Sequence, residues 1–518
     1  MQKIIKKYQN SFFILFLFLF SLIFNFYYGY RGIFPIDSFL IFDSGYNVLN
    51  GLHPFKDYWS ITGPLLDYFQ AFFFLIFGVN WFSYVLHASI LNLILVIFSY
   101  FIFISLGLKR AYSFIYCLGI SVLAYPSIGT PFIDHHSVIF SILATYFYIL
   151  FIKNKKNIFL FFVPIFLIFA FLSKQTPSSY IIIFISILFL IDTIYKFEFK
   201  KIFFLILGIV FPITIIFLNF KINSIPFDNF LVQYFFYPLS IGSSRLENLN
   251  PGFKELILQF KYIYICLIPL LFIFVLKIFS KEKKQNEKDN LLIIFLVIGT
   301  TFILIYSQLL TRNQILIFFL IPIVTAFSQI YYEHYIKDKI FIYLIIVICF
   351  FSITKYHFRY NQEKKFMELS GVDISKSVNA GEIHPMFNNL KWITLFYPKN
   401  PEKEIQHLIE IKNYMNSDTR NKIVVTDYQF FSALLDLKFN SPNKWYDDLS
   451  IPTYNNKYFK KYKNFFITKL KKNKIEVIYI IGLKKFNFLK NLINVEECIL
   501  DKRINEMLLI YDITNCKL

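Results

Sequence analysis

The run Ser11-Phe-Phe-Ile-Leu-Phe-Leu-Phe-Leu-Phe-Ser-Leu-Ile-Phe-Asn25 follows Lys3, Lys6 and Lys7 and carries no charge of its own. About 20 mostly apolar residues cross the hydrocarbon core as a helix, and a helix satisfies its own backbone polar groups there. Phe24 to Tyr30 offers no small-residue cleavage site, so the run reads as a retained first span, not a removable leader. Similar runs recur as far as Lys355 and then stop, about 11 in all by the length a crossing requires. The expected fold is therefore a polytopic α-helical membrane protein.

The net charge of +20 raises the question of nucleic acid. Its distribution answers otherwise. If Met1 to Asn10 is cytoplasmic, the inside loops hold Lys109-Arg110, then Lys153, Lys155 and Lys156, then Lys196, Lys200 and Lys201, then Lys277 to Lys288, then Lys337 and Lys339. Every inside loop is basic, as the positive-inside rule requires, and the odd span count puts the tail outside. No nucleic-acid partner is needed, and the partner implied is the bilayer.

Charge also marks a domain boundary. Residues 357–518 carry 26 Lys and Arg and 18 Asp and Glu, about half of the chain's charge in under a third of its length. Lys422 to Asp427 and Ile475 to Ile481 read as short buried strands, each preceded by a helical pattern, near 401–415 and 458–471. The expected division is a transmembrane domain over 1–356 and a small α/β extracytoplasmic domain over 357–518, large enough for its own core. Cys498 and Cys516 lie in that tail, where an oxidising exterior permits a disulfide. Cys117, Cys266 and Cys349 fall in apolar spans as packing residues.

The first outside loop runs over about 28–80. Its second half, Gly63 to Gly78, is apolar but short and carries Asp67 and Gln70. Counting it as a span would invert every later loop, so an in-plane or re-entrant helix is expected.

Candidate chemistry concentrates on the outside face. The first loop holds Asp37, Asp43, His53, Lys56 and Asp57, and the second holds Asp134, His135 and His136. Carboxylates and imidazoles at that depth are costly unless they pair, bind metal or face water. Carboxylate oxygens suit Mg²⁺ or Mn²⁺, and adjacent imidazoles also admit Zn²⁺, so Asp134 and His135 are the metal candidates. A plainer reading makes Asp37 an N-cap. Cations on the same face form the second signal: Lys174 in a tight turn, Arg312 in the equivalent place later, and Arg245. Each opposes the positive-inside trend, and a phosphate would compensate it, Arg as a fork and Lys as a point charge.

The stretch Gly51-Leu-His-Pro-Phe-Lys-Asp-Tyr-Trp-Ser-Ile-Thr-Gly-Pro64 resembles the first-loop pattern of bacterial GT-C glycosyltransferases, in the family 39 branch that includes lipopolysaccharide galacturonosyltransferase-like proteins. In that pattern an essential Asp lies 14 positions before the first Gly, which lands on Asp37. The family has Asp-Glu there and this chain has Asp37-Ser38, which leaves Asp43 as the rival catalytic carboxylate. A second acidic residue belongs in the next outside loop, where Asp134 stands, and Lys174-Gln175 resembles a recurrent pair. The resemblance implies a glycosyltransferase of the bacterial cytoplasmic membrane. It would move a sugar from a polyprenyl-phosphate donor to a glycan, lipid or protein acceptor at the extracytoplasmic face. Asp57, Gln175 and His136 would contact substrate, with a divalent metal admissible and no nucleotide cofactor. The alternative is a transporter or flippase of a lipid-linked glycan; no internal repeat supports it, and the ionisable residues cluster at one face instead of the midplane.

Overall fold

The computed structural model describes residues 2–247, 251–280, 285–311, 314–437, 441–447, 449–482, 488–493 and 500–516. Among them eight helices are long and apolar enough to cross a membrane: Gln9–Gly29, Trp81–Ser105, Ile133–Asn154, Gln175–Tyr195, Phe199–Ile222, Lys261–Ile278, Gln285–Thr311 and Ile340–Met367. The other three expected spans form shorter helices, Arg110–Leu123, Ile158–Ser173 and Leu320–Tyr335, of 14, 16 and 16 residues. The first of these stops before Tyr125-Pro126, because a residue preceding proline avoids the helical region. Large apolar side chains such as Phe203, Phe211 and Phe217 stand exposed along Phe199–Ile222. Apolar surface on that scale needs lipid around it, and the chain is a multi-pass membrane protein.

The chain forms two compact units interleaved along the sequence. One comprises Met1–Gly29, Ala88–Phe217 and Asn248–Phe366; the other comprises Tyr30–His87, Leu218–Glu247 and Met367–Leu518. This grouping departs from a linear division at 356/357, because the first loop and the segment Leu218–Glu247 join the tail.

The first unit is a helical bundle. Helix Ile133–Asn154 is buried along nearly its whole length and packs against Ile158–Ser173 and Gln175–Tyr195. Polar side chains tie helices across the apolar interior, Ser99 to Tyr146 at 3.0 Å and Tyr116 to Gln329 at 2.8 Å. Helix Phe199–Ile222 approaches its neighbour at Gly208, where an added Cβ would lie 2.1 Å from the carbonyl oxygen of Phe161.

The second unit holds the sheets. Strands β1 (Val378–Asn379) and β2 (Lys391–Trp392) pair antiparallel. A four-stranded sheet has the order β3-β4-β6-β5, built from β3 (Lys422–Thr426), β4 (Val477–Ile481), β5 (Leu500–Arg503) and β6 (Leu508–Asp512). β3 and β4 run parallel and the other pairs antiparallel. Helices Pro401–Ser417 and Phe459–Lys472 precede β3 and β4, as the apolar periodicity predicts.

Backbone hydrogen bonds explain why the first loop belongs here. Gly32 and Ile33 donate to the carbonyls of Lys391 and Ile393, while Trp59 donates to Pro442 at 2.7 Å and accepts from Lys444 at 2.9 Å. The Trp59 ring then packs on Tyr462, Phe465 and Tyr237. The tail's core is completed by side chains from 400 residues earlier in the chain.

Helix Leu65–Phe77 has 13 residues. It buries Leu66, Asp67, Gln70, Ala71 and Phe74 and exposes Phe72, Leu75, Ile76 and Phe77. That two-faced pattern is what an interfacial helix requires. Its buried face lies against helix Leu40–Leu49, where a Cβ on Gly45 would fall 2.6 Å from the Gln70 side chain.

Cys516 is disulfide-bonded; Cys498, its expected partner, lies outside the described residues. Cys117, Cys266 and Cys349 are buried free thiols.

Candidate functional site

Polar groups gather in two places, one in each unit. In the second unit, Asp37 sits half-buried in the first turn of the short helix Pro35–Ser38, which Pro35 opens. The Ser38 hydroxyl accepts from the Phe34 amide at 3.1 Å, so the residue standing where the family has Glu closes this turn. Asp43 lies one helix further on and is fully buried. Its carboxylate accepts from Asn47 at 3.1 Å and from the Ser432 hydroxyl. Of the two candidate catalytic carboxylates, Asp43 is enclosed within the fold and Asp37 keeps a solvent-accessible surface.

Asp67 was not singled out for chemistry by sequence, yet three side chains converge on its carboxylate. Ser44 and Tyr58 donate to it at 2.9 Å each, and Lys444 at 2.5 Å. The Lys444 and Asp67 side chains are 1% and 0% exposed, so the pair is sealed. Burial pulls the Lys444 pKa below the ordinary lysine value, with Asp67 opposing that shift. A carboxylate within a strongly apolar helix was the available signal. Its partner, 377 residues away, was not legible.

Asp57 accepts from the His53 amide at 3.0 Å and pairs with Lys469 at 3.3 Å. Burial lowers the Lys469 pKa, and Asp57 offsets part of that. Asp57, expected at the substrate, is engaged in closing its own turn and in holding the helix Phe459–Lys472. His53 sets its Nδ1 3.2 Å from the Tyr68 hydroxyl, and burial lowers its pKa below the ordinary value.

In the first unit, Asp134 stands in the first turn of Ile133–Asn154 and meets the Lys174 ammonium at 2.6 Å. Lys174 is the N-cap residue of Gln175–Tyr195, with extended backbone. Its carbonyl accepts from the hydroxyls of Ser137 and Ser178, at 3.2 and 2.7 Å, which fixes the turn. The Lys174 side chain keeps 18% exposure against 3% for Asp134. Gln175 follows at the helix start, half-buried.

His136 is tied by Nδ1 to the Tyr125 hydroxyl and to the Phe132 carbonyl. His135 is fully buried, its ring 4.5 Å from that of Tyr125, and neither ring nitrogen has a hydrogen-bond partner. Among the described residues no group of three or more His, Cys, Asp or Glu is arranged to hold a metal ion. Of the two residues expected at a metal, Asp134 is paired with the Lys174 ammonium and His135 keeps both ring nitrogens without a hydrogen-bond partner among the described residues. Arg312 lies outside the described residues, and the Arg245 side chain lies outside them too, although its backbone belongs to helix Tyr237–Glu247.

One further feature of the first unit escaped the sequence. Tyr180, Ile183, Phe184 and Ile187 share a face of Gln175–Tyr195, at positions i, i+3, i+4 and i+7. With Phe302, Ile303 and Tyr306 of Gln285–Thr311 they line an apolar groove of about 410 Å³. Lys174 precedes this helix in extended backbone, Thr176 is non-helical as well, and Tyr180 stands six residues further along the chain.

The chain matches no protein-family model, and no curated protein matches it.

Proposed function

We propose that the protein is a membrane glycosyltransferase. It transfers a sugar from a polyprenyl-phosphate donor to a glycan, lipid or protein acceptor, at the extracytoplasmic face of a bacterial cytoplasmic membrane. The observation that supports this most is the pairing of a cation with an apolar groove on one helix. Lys174 offers a partly exposed ammonium just before the helix, and the groove begins at Tyr180, six residues on in the chain. A phosphate carried on a long hydrocarbon chain fits that arrangement, phosphate at the ammonium and chain in the groove.

The acceptor hydroxyl attacks the anomeric carbon of the donor. The bond from that carbon to the phosphate oxygen breaks, polyprenyl phosphate departs, and the hydroxyl proton passes to a carboxylate acting as general base. Asp37 takes the base role on the first-loop resemblance and on its exposure, while the Asp43 carboxylate is enclosed. Lys174 stabilises the charge that develops on the departing phosphate. Attack from the face opposite the leaving group inverts the anomeric configuration.

The topology that goes with this reading has about 11 crossings, the N-terminus inside and the tail outside, on the parity of the basic loops. A cysteine replacing the exposed Tyr454 is then labelled by an impermeant reagent in intact spheroplasts. Labelling only after permeabilisation reverses the orientation. For the activity, purified protein is incubated with polyprenyl-phosphate sugars and acceptor fractions, and release of polyprenyl phosphate is followed. No release from a panel spanning hexose, pentose and uronic-acid donors counts against the reading.

A further inference from the structure

Within the first unit, Lys155, Lys174, Lys196, Lys201 and Lys277 each lie within ion-pair distance of a carboxylate. Lys261, Lys355 and Arg359 are among the cations of the same unit that have no such pair among the described residues. They gather at one end of two neighbouring antiparallel spans, since Lys261 opens Lys261–Ile278 and Lys355 closes Ile340–Tyr356.

A row of aromatic rings links the three. The Lys261 and Lys355 ammonium groups lie 5.3 and 5.5 Å from the centre of one ring, Tyr262, and Lys355 also reaches its hydroxyl at 3.4 Å. Tyr262 is 5.7 Å from Tyr356, which is 5.7 Å from Tyr360, and the Arg359 guanidinium lies 5.5 Å from the Tyr360 ring. The Arg359 Nε is buried and has no hydrogen-bond partner among the described residues.

Cation–π contact offsets part of the cost of crowding like charges, but two ammonium groups on one ring still repel. Lys261 also stands at a helix N-terminus, whose partial positive charge disfavours a cation and favours an anion. Snorkelling carries a single lysine to water; it does not converge three cations on one row of tyrosines. An anion placed among them resolves the repulsion, the helix-end charge and the unmet Arg359 donor together. Further along the same two spans, Phe272 and Val275 of one and Val347 and Phe351 of the other face outward as apolar surface suited to acyl chains.

We propose that Lys261, Lys355 and Arg359, on the platform of Tyr262, Tyr356 and Tyr360, bind the phosphate of an anionic lipid headgroup at the membrane boundary. This site is separate from the donor chemistry assigned to Lys174 and stands whether or not that assignment does.

Native mass spectrometry of the full-length protein in detergent tests it, with phosphatidylglycerol and phosphatidylcholine as probes and inorganic phosphate as competitor. Wild type is expected to retain phosphatidylglycerol about tenfold better than phosphatidylcholine, since each basic group adds to attraction for an anionic headgroup. The Lys261→Gln/Lys355→Gln/Arg359→Gln variant loses that preference, and Lys261→Arg/Lys355→Arg keeps it. If the triple variant does not fold, Lys355→Gln alone, at an exposed position, is expected to lower the preference measurably. Undiminished retention by the triple variant, or by the single variant where only that one folds, overturns the proposal. So does a site that inorganic phosphate occupies and phosphatidylglycerol does not, which would make the ligand free phosphate.

Discussion

Two ion pairs of nearly equal length do different work. Lys444 and Asp67 meet at 2.5 Å with exposures of 1% and 0%; Lys174 and Asp134 meet at 2.6 Å with 18% and 3%. Asp67 also accepts from Ser44 and Tyr58, and the sealed pair presents no surface to a ligand. Asp134 has Lys174 as its hydrogen-bond partner, and the ammonium keeps open surface. A buried pair costs desolvation on both sides and stabilises little in net terms, yet losing one partner is severe. The sealed pair therefore acts as a clasp within its unit, and the open pair is the one available to chemistry.

The largest effect separating structure from chemistry is expected at Asp37. Asp37→Asn keeps the shape and removes the proton acceptor, and polyprenyl-phosphate release should fall by about 10² to 10⁴-fold. The structure makes Phe34, not Asp37, the N-cap of helix Pro35–Ser38; if Asp37 serves only its turn, Asn replaces it with little loss and the rate holds. If Asp37→Asn stays fully active while a folded Asp43→Asn is dead, the base is Asp43.

Next comes Lys444→Met, which strands the Asp67 charge and should cost about 3–5 kcal/mol of stability. Thermal unfolding of the purified protein measures it, and Lys444→Met/Asp67→Leu should recover most of the loss. A single variant as stable as wild type would show that the sealed pair holds nothing.

Lys174→Met should divide the other way, lowering turnover by about 10² to 10³-fold if it loses one group that stabilises developing charge. Its unfolding midpoint should fall less than that of Lys444→Met, because its partner lies nearer to solvent. A stability loss as large as that of Lys444→Met, with turnover retained, would erase the distinction between the two pairs.

The smallest effect is a pH dependence at His53. Burial lowers its folded pKa below the ordinary value near 6.5, so the unfolded chain binds the proton more readily. The contribution is fully present above about pH 6.5 and is lost as pH falls through the folded pKa. Unfolding midpoints between about pH 7 and 5 should decline, and His53→Gln should flatten the slope; an unchanged slope assigns the decline to other groups.

The membrane class, the strands near 422–427 and 475–481 and the short two-faced helix of the first loop were legible because each rests on local periodicity. Composition over a window of about 20 residues decides lipid against water, and a two-residue or 3.6-residue period decides strand against helix. Asp37, Asp134 and Lys174 were nameable for a similar reason, since a charge near the end of an apolar run stands out wherever its partner is.

What only the tertiary structure decided is which charges meet. Asp67 with Lys444, Asp57 with Lys469 and Trp59 with the 442–444 backbone join positions separated by more than 370 residues. No local pattern encodes such a pairing. It follows from closing a very long loop, and the burial that results sets whether a carboxylate is a clasp or a site. The linear boundary at 356/357 rests on charge density, whereas the second unit also gathers Tyr30–His87 and Leu218–Glu247. Charge density along a chain reports where water is expected, while a core is completed by whichever apolar side chains the fold brings together.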